Sequence, residues 1–521
     1  MKDLFIFTLM RKAFTLWGCC IFVMLIVSCT SDIKDHVVEK PYFTKFYISP
    51  EANAVVKDTC YAQFENDSTI FLFCHDFDSS DCIVVSFEGN YERVVVDGVN
   101  QLSGVTSNDF NGALRYELYN KNGELRTYNV VIKSGNGIPR IDITTVDGNP
   151  ITSKTEYTKA DFRITNNPDK GGSLNASGKI RGRGNATWRC PKKPYKVKFS
   201  EKLSPFGFPE NKDWVLLADF KDLSSLRTAY MCELSKAIGL DFTINYQYVD
   251  LYLNGEYEGL YLLVDQVEKS KNRVNIEKDG FLIEQDNWYE SEPLSFATKA
   301  YGYNYTFKHP DANDGDIIEG DESYSFIVDF MNRLENSLLR LDDNADDVEY
   351  QKYIDTESFA KWALLAQMVC VFDPNRFYYL PDRISTLKMG PMWDMEYSLG
   401  FWTNSWGERP DPMERTDILN FRKDKVVTQY YFDRLIKSTL FKDLIRKEFF
   451  ECKGKLGAIN DTIDDIITVI AYSQEADFIK WKDAKHAWFH YDENDWKGET
   501  DKVKAFFKNR VLYVEEYVNS L

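Results

Sequence analysis

The hydrophobic pattern changes near Tyr324 from that of strands to that of helices, and this change limits the folds open to the chain. Before it, short apolar runs such as Leu260–Val264 are bounded by Gly, Asn and Asp residues, which is typical of strands. After it, Phe326, Phe330 and Leu334 recur at helical spacing. The sequence therefore predicts an α+β fold in which a sheet-rich lobe precedes a helix-rich lobe.

Two local signals predict single elements inside the strand-rich part. Residues 223–238 place apolar side chains at approximately helical spacing, and Gly239 supplies a stop. Asn254-Gly255 lies between two apolar runs, and this dipeptide is the strongest short signal for a hairpin turn. Further helices are predicted at 359–371, 430–452, 462–477 and 502–521.

The residues before 140 form a pattern of their own. Short runs rich in Val, Ile and Phe, such as Thr69–Cys74, alternate with turns that contain Asp, Asn and Gly. This alternation predicts a small antiparallel β-sandwich-like domain at 41–135. Gly, Ser, Asn and Pro at residues 134–139 predict a linker. A second domain is then expected at 140–521.

The amino-terminal residues have the features of an export signal. Two basic residues precede an apolar run that ends at Ile26–Cys29, which resembles a bacterial lipoprotein signal, residues 1–28, cleaved before a lipidated Cys29. An uncleaved amino-terminal anchor is the alternative. Residues 29–40 would form a linker, and Ser31-Asp32 resembles the acidic flank of surface lipoproteins in Bacteroidetes. We expect an exported, membrane-anchored protein at the outer membrane or cell surface.

Charge and cysteine usage exclude several classes of function. The net charge of −18 argues against nucleic acid or an anionic lipid surface as the partner. Cys60, Cys74 and Cys82 are close enough for one disulfide, whereas the cysteines after residue 140 are scattered singly and are expected as buried thiols. A zinc site is not expected, because the chain has five histidines and no Cys-x-x-Cys or His-x-x-x-His spacing.

Cations are concentrated around one Gly-rich turn. Arg181 and Arg183 flank glycines whose backbone N–H groups would be open to an anion, although a tight hairpin turn has the same pattern. Lys196 and Lys198 alternate on the following strand and share one face, as surface lysines on a sheet also do. Arg227 opens a helix, where a basic residue needs a carboxylate or phosphate partner.

Oxygen-rich segments lie in the helix-rich part. Asp373 and Asn375 precede Asp394 and Glu396 by about twenty residues. Carboxylate and amide oxygens on short apolar segments suit a hard cation and phosphate chemistry. A half-buried strand end has the same composition, so these residues alone leave both interpretations open.

The order of these segments identifies one family. The chain contains, in sequence, Arg181–Trp188, Lys192–Lys198, Trp214–Ala218, Val249–Val264, Lys271–Ile276, Phe281–Glu284 and Trp393–Gly400. Together they resemble the spore-coat CotH kinase family, and the resemblance extends from about residue 140 to residue 520. It implies an atypical protein kinase with a modified kinase fold that uses ATP and Mg²⁺ or Mn²⁺ to phosphorylate serine or threonine hydroxyls of a partner protein.

The resemblance also implies a role for each candidate residue. Asp373 would be the catalytic aspartate that receives the proton of the attacking hydroxyl, and the metal would be held by Asp394, Glu396 and Asn375. Glu268 or Glu284 would pair with a lysine. The cations available to the triphosphate would be Arg181, Arg183, Lys196, Lys198 and Arg227.

Two departures from the kinase pattern keep another function open. Asp373 and Asn375 are closer than the Asp-x-x-x-x-Asn spacing of ordinary protein kinases, and Glu396 is one methylene longer than the aspartate of many relatives. The alternative is therefore a surface-exposed binding or adhesion lipoprotein with a catalytically silent kinase-like scaffold. A third possibility is a glycan-processing enzyme that uses Asp373 and Asp394 as paired carboxylates.

Overall fold

The computed structural model of the chain describes most of the residues after the predicted signal. These are residues 40–56, 59–66, 68–74, 82–134, 138–167, 172–342, 344–371, 375–401, 431–489, 491 and 493–521. The predicted signal peptide and Cys29 lie outside them. Within the described part, no helix is long and apolar enough to cross a membrane. The chain divides into two compact units between Ser134 and Gly135, called here the first and second units.

The first unit consists of short strands in three sheets. A three-stranded sheet has the order β2-β1-β6, a six-stranded sheet has the order β3-β4-β11-β10-β7-β8, and β5 pairs with β9. The strands are β1 (Tyr42–Ile48), β2 (Cys60–Tyr61), β3 (Gln63–Asn66), β4 (Thr69–Cys74), β5 (Cys82–Val84), β6 (Ser86–Asn90), β7 (Arg93–Val96), β8 (Val99–Asn100), β9 (Ser107–Asp109), β10 (Leu114–Tyr119) and β11 (Leu125–Ser134).

Aromatic side chains join the two larger sheets of the first unit. Phe46 of β1 meets Tyr116 of β10 edge-on at 5.2 Å between ring centroids, and both residues are buried. One feature departs from the prediction of an antiparallel sandwich, because β4 and β11 pair in parallel. Alternating burial looks the same in a parallel and an antiparallel strand with one solvated face, so the sequence pattern did not distinguish them.

Seven strands of the second unit close into a barrel. Its order is β12-β13-β14-β15-β16-β18-β17, and closure depends on parallel pairing of β12 with β17, in which Arg140 lies opposite Asp250. Trp214 and Tyr261 fill the interior. The strands are β12 (Arg140–Thr145), β13 (Thr158–Asn167), β14 (Gly172–Gly182), β15 (Tyr195–Leu203), β16 (Asn211–Leu217), β17 (Tyr246–Leu253) and β18 (Glu256–Asp265).

Two sequence predictions in this region are confirmed. β17 and β18 form a hairpin turned at Asn254 and Gly255, whose φ angles of 53° and 89° are both positive, as a type I′ turn requires. The predicted helix is present as Arg227–Ile238, and Gly239 ends it with φ 80°. It begins four residues later than predicted, because Asp222 bonds Ser224 and the Arg227 N–H and holds the preceding residues in a turn.

A second sheet and the helices complete the unit, and the mixed α and β class is confirmed. The sheet order is β20-β21-β19-β22-β23, and its strands are β19 (Phe281–Gln285), β20 (Ser295–Ala297), β21 (Asn304–His309), β22 (Arg376–Leu380) and β23 (Lys388–Met389). The helices are α1 (Ala186–Arg189), α2 (Arg227–Ile238), α3 (Glu322–Leu339), α4 (Thr356–Val369), α5 (Phe432–Leu435), α6 (Thr439–Lys453), α7 (Leu456–Trp488) and α8 (Trp496–Ser520).

Candidate functional site

A pocket opens at the end of the barrel where four segments meet. These are the turn after β14, the end of β16, the start of α2 and the residues after Trp393. Leu217, Met231 and Ile244 form an apolar wall. The polar lining residues include Arg183, Lys192, Asp219, Asp394 and Glu396. The structure thus brings three of the residues predicted from sequence, Arg183, Asp394 and Glu396, to one place.

Asp394 is presented to the pocket by an unusual backbone conformation. Its φ and ψ are 64° and 51°, in the left-handed region, which costs energy for any residue except Gly and is best tolerated by Asn and Asp. Trp393 before it is buried, whereas Asp394 is exposed. The carboxylate forms no ion pair with any residue that the structure describes. Backbone strain of this kind is concentrated at functional sites.

Glu396 is already engaged by a cation that was not assigned from the sequence. Its Oε2 lies 3.0 Å from Lys221 Nζ, and both side chains are largely buried. The ammonium also lies 4.3 Å from the centre of the Tyr397 ring. Burial lowers the pKa of Lys221, but Glu396, Tyr397 and Asp394 together outweigh this and raise it above its usual value. Lys221 therefore stays charged and neutralises Glu396.

Asp219 is a second carboxyl group that lines the pocket. It is 4% exposed, and its Oδ2 has no hydrogen-bond partner among the described residues. Burial, together with the nearby carboxylates of Asp222 and Glu396, raises the pKa of Asp219 well above its usual value. A buried polar atom without a partner at a pocket wall is a candidate ligand contact.

Arg183 is a second cation that lines the pocket near Asp394 and Glu396. Its guanidinium is 5.3 Å from the Trp393 ring centre, and its backbone N–H donates to the Pro194 carbonyl. Burial lowers the pKa of Arg183, whereas the carboxylates of Asp394, Glu396 and Glu284 oppose this shift. Arg183 is therefore a half-buried cation that faces carboxylates without a direct ion pair to them.

The flanking glycines have a packing role that the anion interpretation did not include. A Cβ at Gly182 would lie 2.3 Å from the Trp188 ring, and Gly184 has φ +79°. Both positions therefore exclude larger residues. The glycines position Arg183 by allowing Trp188 to pack against the turn.

Asn375 joins the site through its backbone and its amide. It pairs with Trp393 in an isolated antiparallel bridge, and its Nδ2 donates to Glu284 Oε1 at 2.7 Å. Glu284 Oε2 is 2.9 Å from Lys308 Nζ, so of the two predicted glutamates Glu284 is the one with a lysine partner here. Burial raises the pKa of Glu284. Asp373 lies outside the described residues.

Lys308 was missed because β20 and β21 were not predicted. The signal was present in the alternation of the aromatic residues Tyr305 and Phe307 with the polar residues Asn304, Thr306 and Lys308, although Thr306 is itself buried. The run is six residues long and follows a turn-rich segment. An alternation this short is difficult to distinguish from the irregular pattern of a loop.

Lys196, Lys198 and Glu268 lie outside the pocket lining. Lys196 and Lys198 point outward from β15, and both pair with Asp213, at 3.2 and 3.4 Å. Glu268 Oε1 accepts a hydrogen bond from Arg273 at 2.6 Å. Lys196 is the nearer of the two lysines to the pocket in register, because it lies opposite Arg181 on β14.

Arg227 occupies a structural network instead of the pocket. Its guanidinium is bonded to Asp222, to Glu499 of α8 at 2.6 Å and to the Ser398 carbonyl at 2.9 Å. The side chain is 1% exposed. A carboxylate or phosphate partner was predicted for Arg227, and its partners in the structure are the carboxylates of Asp222 and Glu499. Arg227 is therefore not among the cations that we propose for a nucleotide.

The described residues contain no group of three or more His, Cys, Asp and Glu side chains that would hold a metal ion. Asp394 and Glu396 are two of the predicted ligands, and Lys221 neutralises the second. Asp373 is not among the described residues. A hard cation in such a site would depend on Asp394 together with ligands from outside the described residues.

A mixed α and β scaffold whose pocket combines carboxylates with cations is typical of a kinase-like protein. The family model for the CotH kinase protein matches residues 180–514, and the chain therefore belongs to the CotH kinase family. The matched segment contains the whole pocket and excludes the first unit. No curated protein matches the chain.

Proposed function

We propose that the second unit is an atypical kinase that transfers the γ-phosphoryl group of ATP to a serine or threonine hydroxyl of a partner protein. The observation that carries this proposal is the exposed Asp394 carboxylate, held on a left-handed backbone beside Arg183. A transferring phosphoryl group needs both a carboxylate-bound cation and positive side chains. The pocket has the Asp394 carboxylate for such a cation and Arg183 as a positive side chain.

The nucleotide would occupy the pocket with its base against the apolar wall. Leu217, Met231 and Ile244 supply that wall, and Arg183 supplies positive charge for the phosphates. Arg181 and Lys196 would extend this charge along the barrel. The half-buried state of Arg183 strengthens its attraction for a phosphate, because the surrounding protein screens charge less than water does.

A Mg²⁺ or Mn²⁺ ion fits the donors that remain free. Asp394 is without an ion pair among the described residues, whereas Glu396 is bound by Lys221. Mg²⁺ is commonly held by one or two carboxylates together with substrate phosphates and water. Asp394 would be the carboxylate ligand, and water and the phosphates would complete the coordination. When bound, the ion neutralises charge that develops on the phosphoryl group.

Asp373 would act on the acceptor hydroxyl. It is two positions before Asn375, so chain connectivity keeps their Cα atoms within roughly 7 Å. Asn375 is fixed beside Trp393 by its backbone bridge and by Glu284. A carboxylate at residue 373 would orient the hydroxyl and accept its proton as the oxygen attacks phosphorus.

A phosphotransfer assay tests this proposal. The full chain is incubated with radiolabelled ATP, Mg²⁺ or Mn²⁺, and casein as acceptor. We expect label on casein or on the chain itself, loss of nucleotide binding in Asp394→Asn, and loss of transfer with binding retained in Asp373→Asn. If there is neither label nor a nucleotide-induced thermal shift, the proposal is wrong and the adhesion lipoprotein takes its place.

Export and lipidation at Cys29 are part of the same proposal. The apolar run that ends at Ile26–Cys29 supports them. The phosphoacceptor would then be a protein of the outer membrane or cell surface. Cys29→Ala should release the chain from the membrane fraction and abolish metabolic labelling with palmitate. Unchanged membrane association and unchanged labelling would contradict lipidation.

A further inference from the structure

The outer surface of the barrel carries positive charge that the proposed phosphotransfer does not use in full. Residues 154–198 contain twelve Lys or Arg and three Asp or Glu, whereas the whole chain contains 63 and 81. Lys170 lies outside the described residues, and Lys192 is buried in an ion pair with Asp477. The cations on β13, β14 and β15 project outward, because the inward positions of these strands are apolar. This face of the barrel is therefore basic in an otherwise acidic protein.

Three lysines form a row across neighbouring strands of this surface. Lys159 of β13 lies opposite Lys179 of β14, and Lys179 lies opposite Lys198 of β15. Adjacent strands are about 4.8 Å apart, so the row covers roughly 10 Å. We call these three residues the basic ladder. Like charges directly opposite one another destabilise a sheet, and a bound anion would remove that cost.

The ladder has little negative charge of its own. Lys198 shares Asp213 with Lys196, so one carboxylate serves two ammonium groups. Lys159 and Lys179 are exposed and form no ion pair with the described residues. The nearest carboxylate on the same face of β13, Asp161, accepts a hydrogen bond from Ser177. The Lys179 ammonium lies 4.5 Å from the centre of the Tyr157 ring, which holds it at the surface. Positive charge is thus left for a partner.

The ladder is continuous with the pocket. From Lys179 the chain runs through Arg181, which lies opposite Lys196, to Arg183 in the pocket lining. Four residues of strand cover roughly 13 Å, and an extended peptide covers that distance with about four residues. A linear ligand with its end in the pocket would therefore reach the ladder.

We propose that the basic ladder binds an acidic polypeptide segment, and that this segment belongs to the phosphoacceptor. Acidic residues would lie about four or more positions from the hydroxyl that enters the pocket. A row of cations that turns along one strand into a pocket fits a flexible linear polyanion better than a flat lipid surface. The acceptor assignment rests on the proposed kinase function, whereas binding of the acidic segment does not.

A binding experiment without nucleotide tests the ladder. Fluorescein-labelled decaglutamate is titrated with the full chain at low ionic strength and followed by fluorescence anisotropy. We expect Lys159→Glu/Lys179→Glu to weaken binding at least tenfold, on the order expected for reversing two contacting charges. The matched control, Lys271→Glu/Lys508→Glu, makes the same change of net charge at two exposed lysines elsewhere in the second unit and should bind like the parent.

The outcomes separate the ladder from its alternatives. Equal affinity of the ladder variant and its control would overturn the proposal. So would ladder-dependent binding of phosphatidylglycerol vesicles with no binding of decaglutamate, since the partner would then be a lipid surface. If the ladder variant is misfolded, Lys159→Gln/Lys179→Gln replaces it, with an expected loss of at least about threefold.

A nucleotide thermal shift distinguishes failure of the ladder from failure of the kinase function. A chain that binds decaglutamate through the ladder but shows neither label transfer nor a shift with ATP and Mg²⁺ keeps the acidic-peptide site and overturns phosphotransfer. A chain that shows the shift but does not bind decaglutamate overturns the ladder alone.

Discussion

Two groups of charges in the second unit differ in how completely they are paired. Around Arg227, each nitrogen of the guanidinium has a partner, from Asp222, Glu499 or the Ser398 carbonyl. In the pocket, Asp394 has no ion pair among the described residues, and Asp219 Oδ2 has no hydrogen bond there. Paired buried charges hold elements together, whereas unpaired groups at a pocket are available to a ligand.

Lys192 shows that a charged residue in the pocket lining can also be fully paired. It lines the pocket, yet its Nζ is 2.6 Å from Asp477 of α7, which also pairs with Lys485 at 3.2 Å. A Cβ at Gly259 would lie 2.3 Å from Asp477 Oδ1, so the barrel leaves space for this carboxylate. Lys192 therefore belongs with Arg227, as a residue that attaches a carboxy-terminal helix to the barrel.

The largest effect is expected when the paired group around Arg227 is broken. Arg227→Met leaves Asp222 and Glu499 buried without their cation, which should lower the free energy of unfolding by about 5 kcal/mol, the upper part of the range for such losses. Chemical denaturation measures the change. Arg333→Met removes an exposed ion pair with Asp329 in α3 and should cost less than about 0.5 kcal/mol. Similar losses in both variants would contradict the comparison.

Asp477→Asn should have the next largest effect, about 3 kcal/mol, because two buried lysines keep an isosteric but neutral partner. Burial opposes ionisation of Asp477, but Lys192 and Lys485 outweigh it and hold its pKa below the usual value. The folded pKa lies below the unfolded one, so the stabilisation is complete above about pH 4 and is lost as the pH falls through the folded pKa.

The difference in unfolding free energy between the parent and Asp477→Asn should therefore shrink in acid. Denaturant titrations at a series of pH values measure it. Asp464→Asn is the matched control on the same helix, where the carboxylate pairs with Lys504 and is about half exposed, and it should change stability little at any pH. A difference for Asp477→Asn that is constant with pH would show that its charge is not what stabilises α7.

Local structure could be predicted from the sequence. The turn at Asn254-Gly255 and the helix stop at Gly239 depend on backbone preferences of the residues themselves. Barrel closure was not predictable, since β12 and β17 pair across more than 100 residues. Asp222 is only five residues from Arg227. The second carboxylate partner, Glu499, was hidden because it is 272 residues away. Charge type was visible in the sequence, but not whether each charge was already paired.

A small change in stability is expected for Lys196, which is paired but lies close to the pocket in register. Lys196 is partly exposed and shares Asp213 with Lys198, so Lys196→Met should cost less than about 1 kcal/mol. If Lys196 also contacts the triphosphate, the affinity for ATP with Mg²⁺ should fall roughly tenfold. Calorimetric titration measures it, and Lys198→Met, farther from the pocket in register, should bind like the parent. Equal affinities for all three chains would exclude Lys196 from the nucleotide site.

The most direct test of the central claim asks whether the unpaired carboxylate holds the metal. Electron paramagnetic resonance counts free Mn²⁺ as the full chain is added to Mn²⁺ and a non-hydrolysable ATP analogue. We predict that the parent and Glu396→Gln remove Mn²⁺ from solution and that Asp394→Asn binds Mn²⁺ at least about tenfold more weakly. The unfolding free energy of Asp394→Asn should stay close to that of the parent. Equal Mn²⁺ binding by Asp394→Asn and the parent would show that the Asp394 carboxylate does not hold the metal.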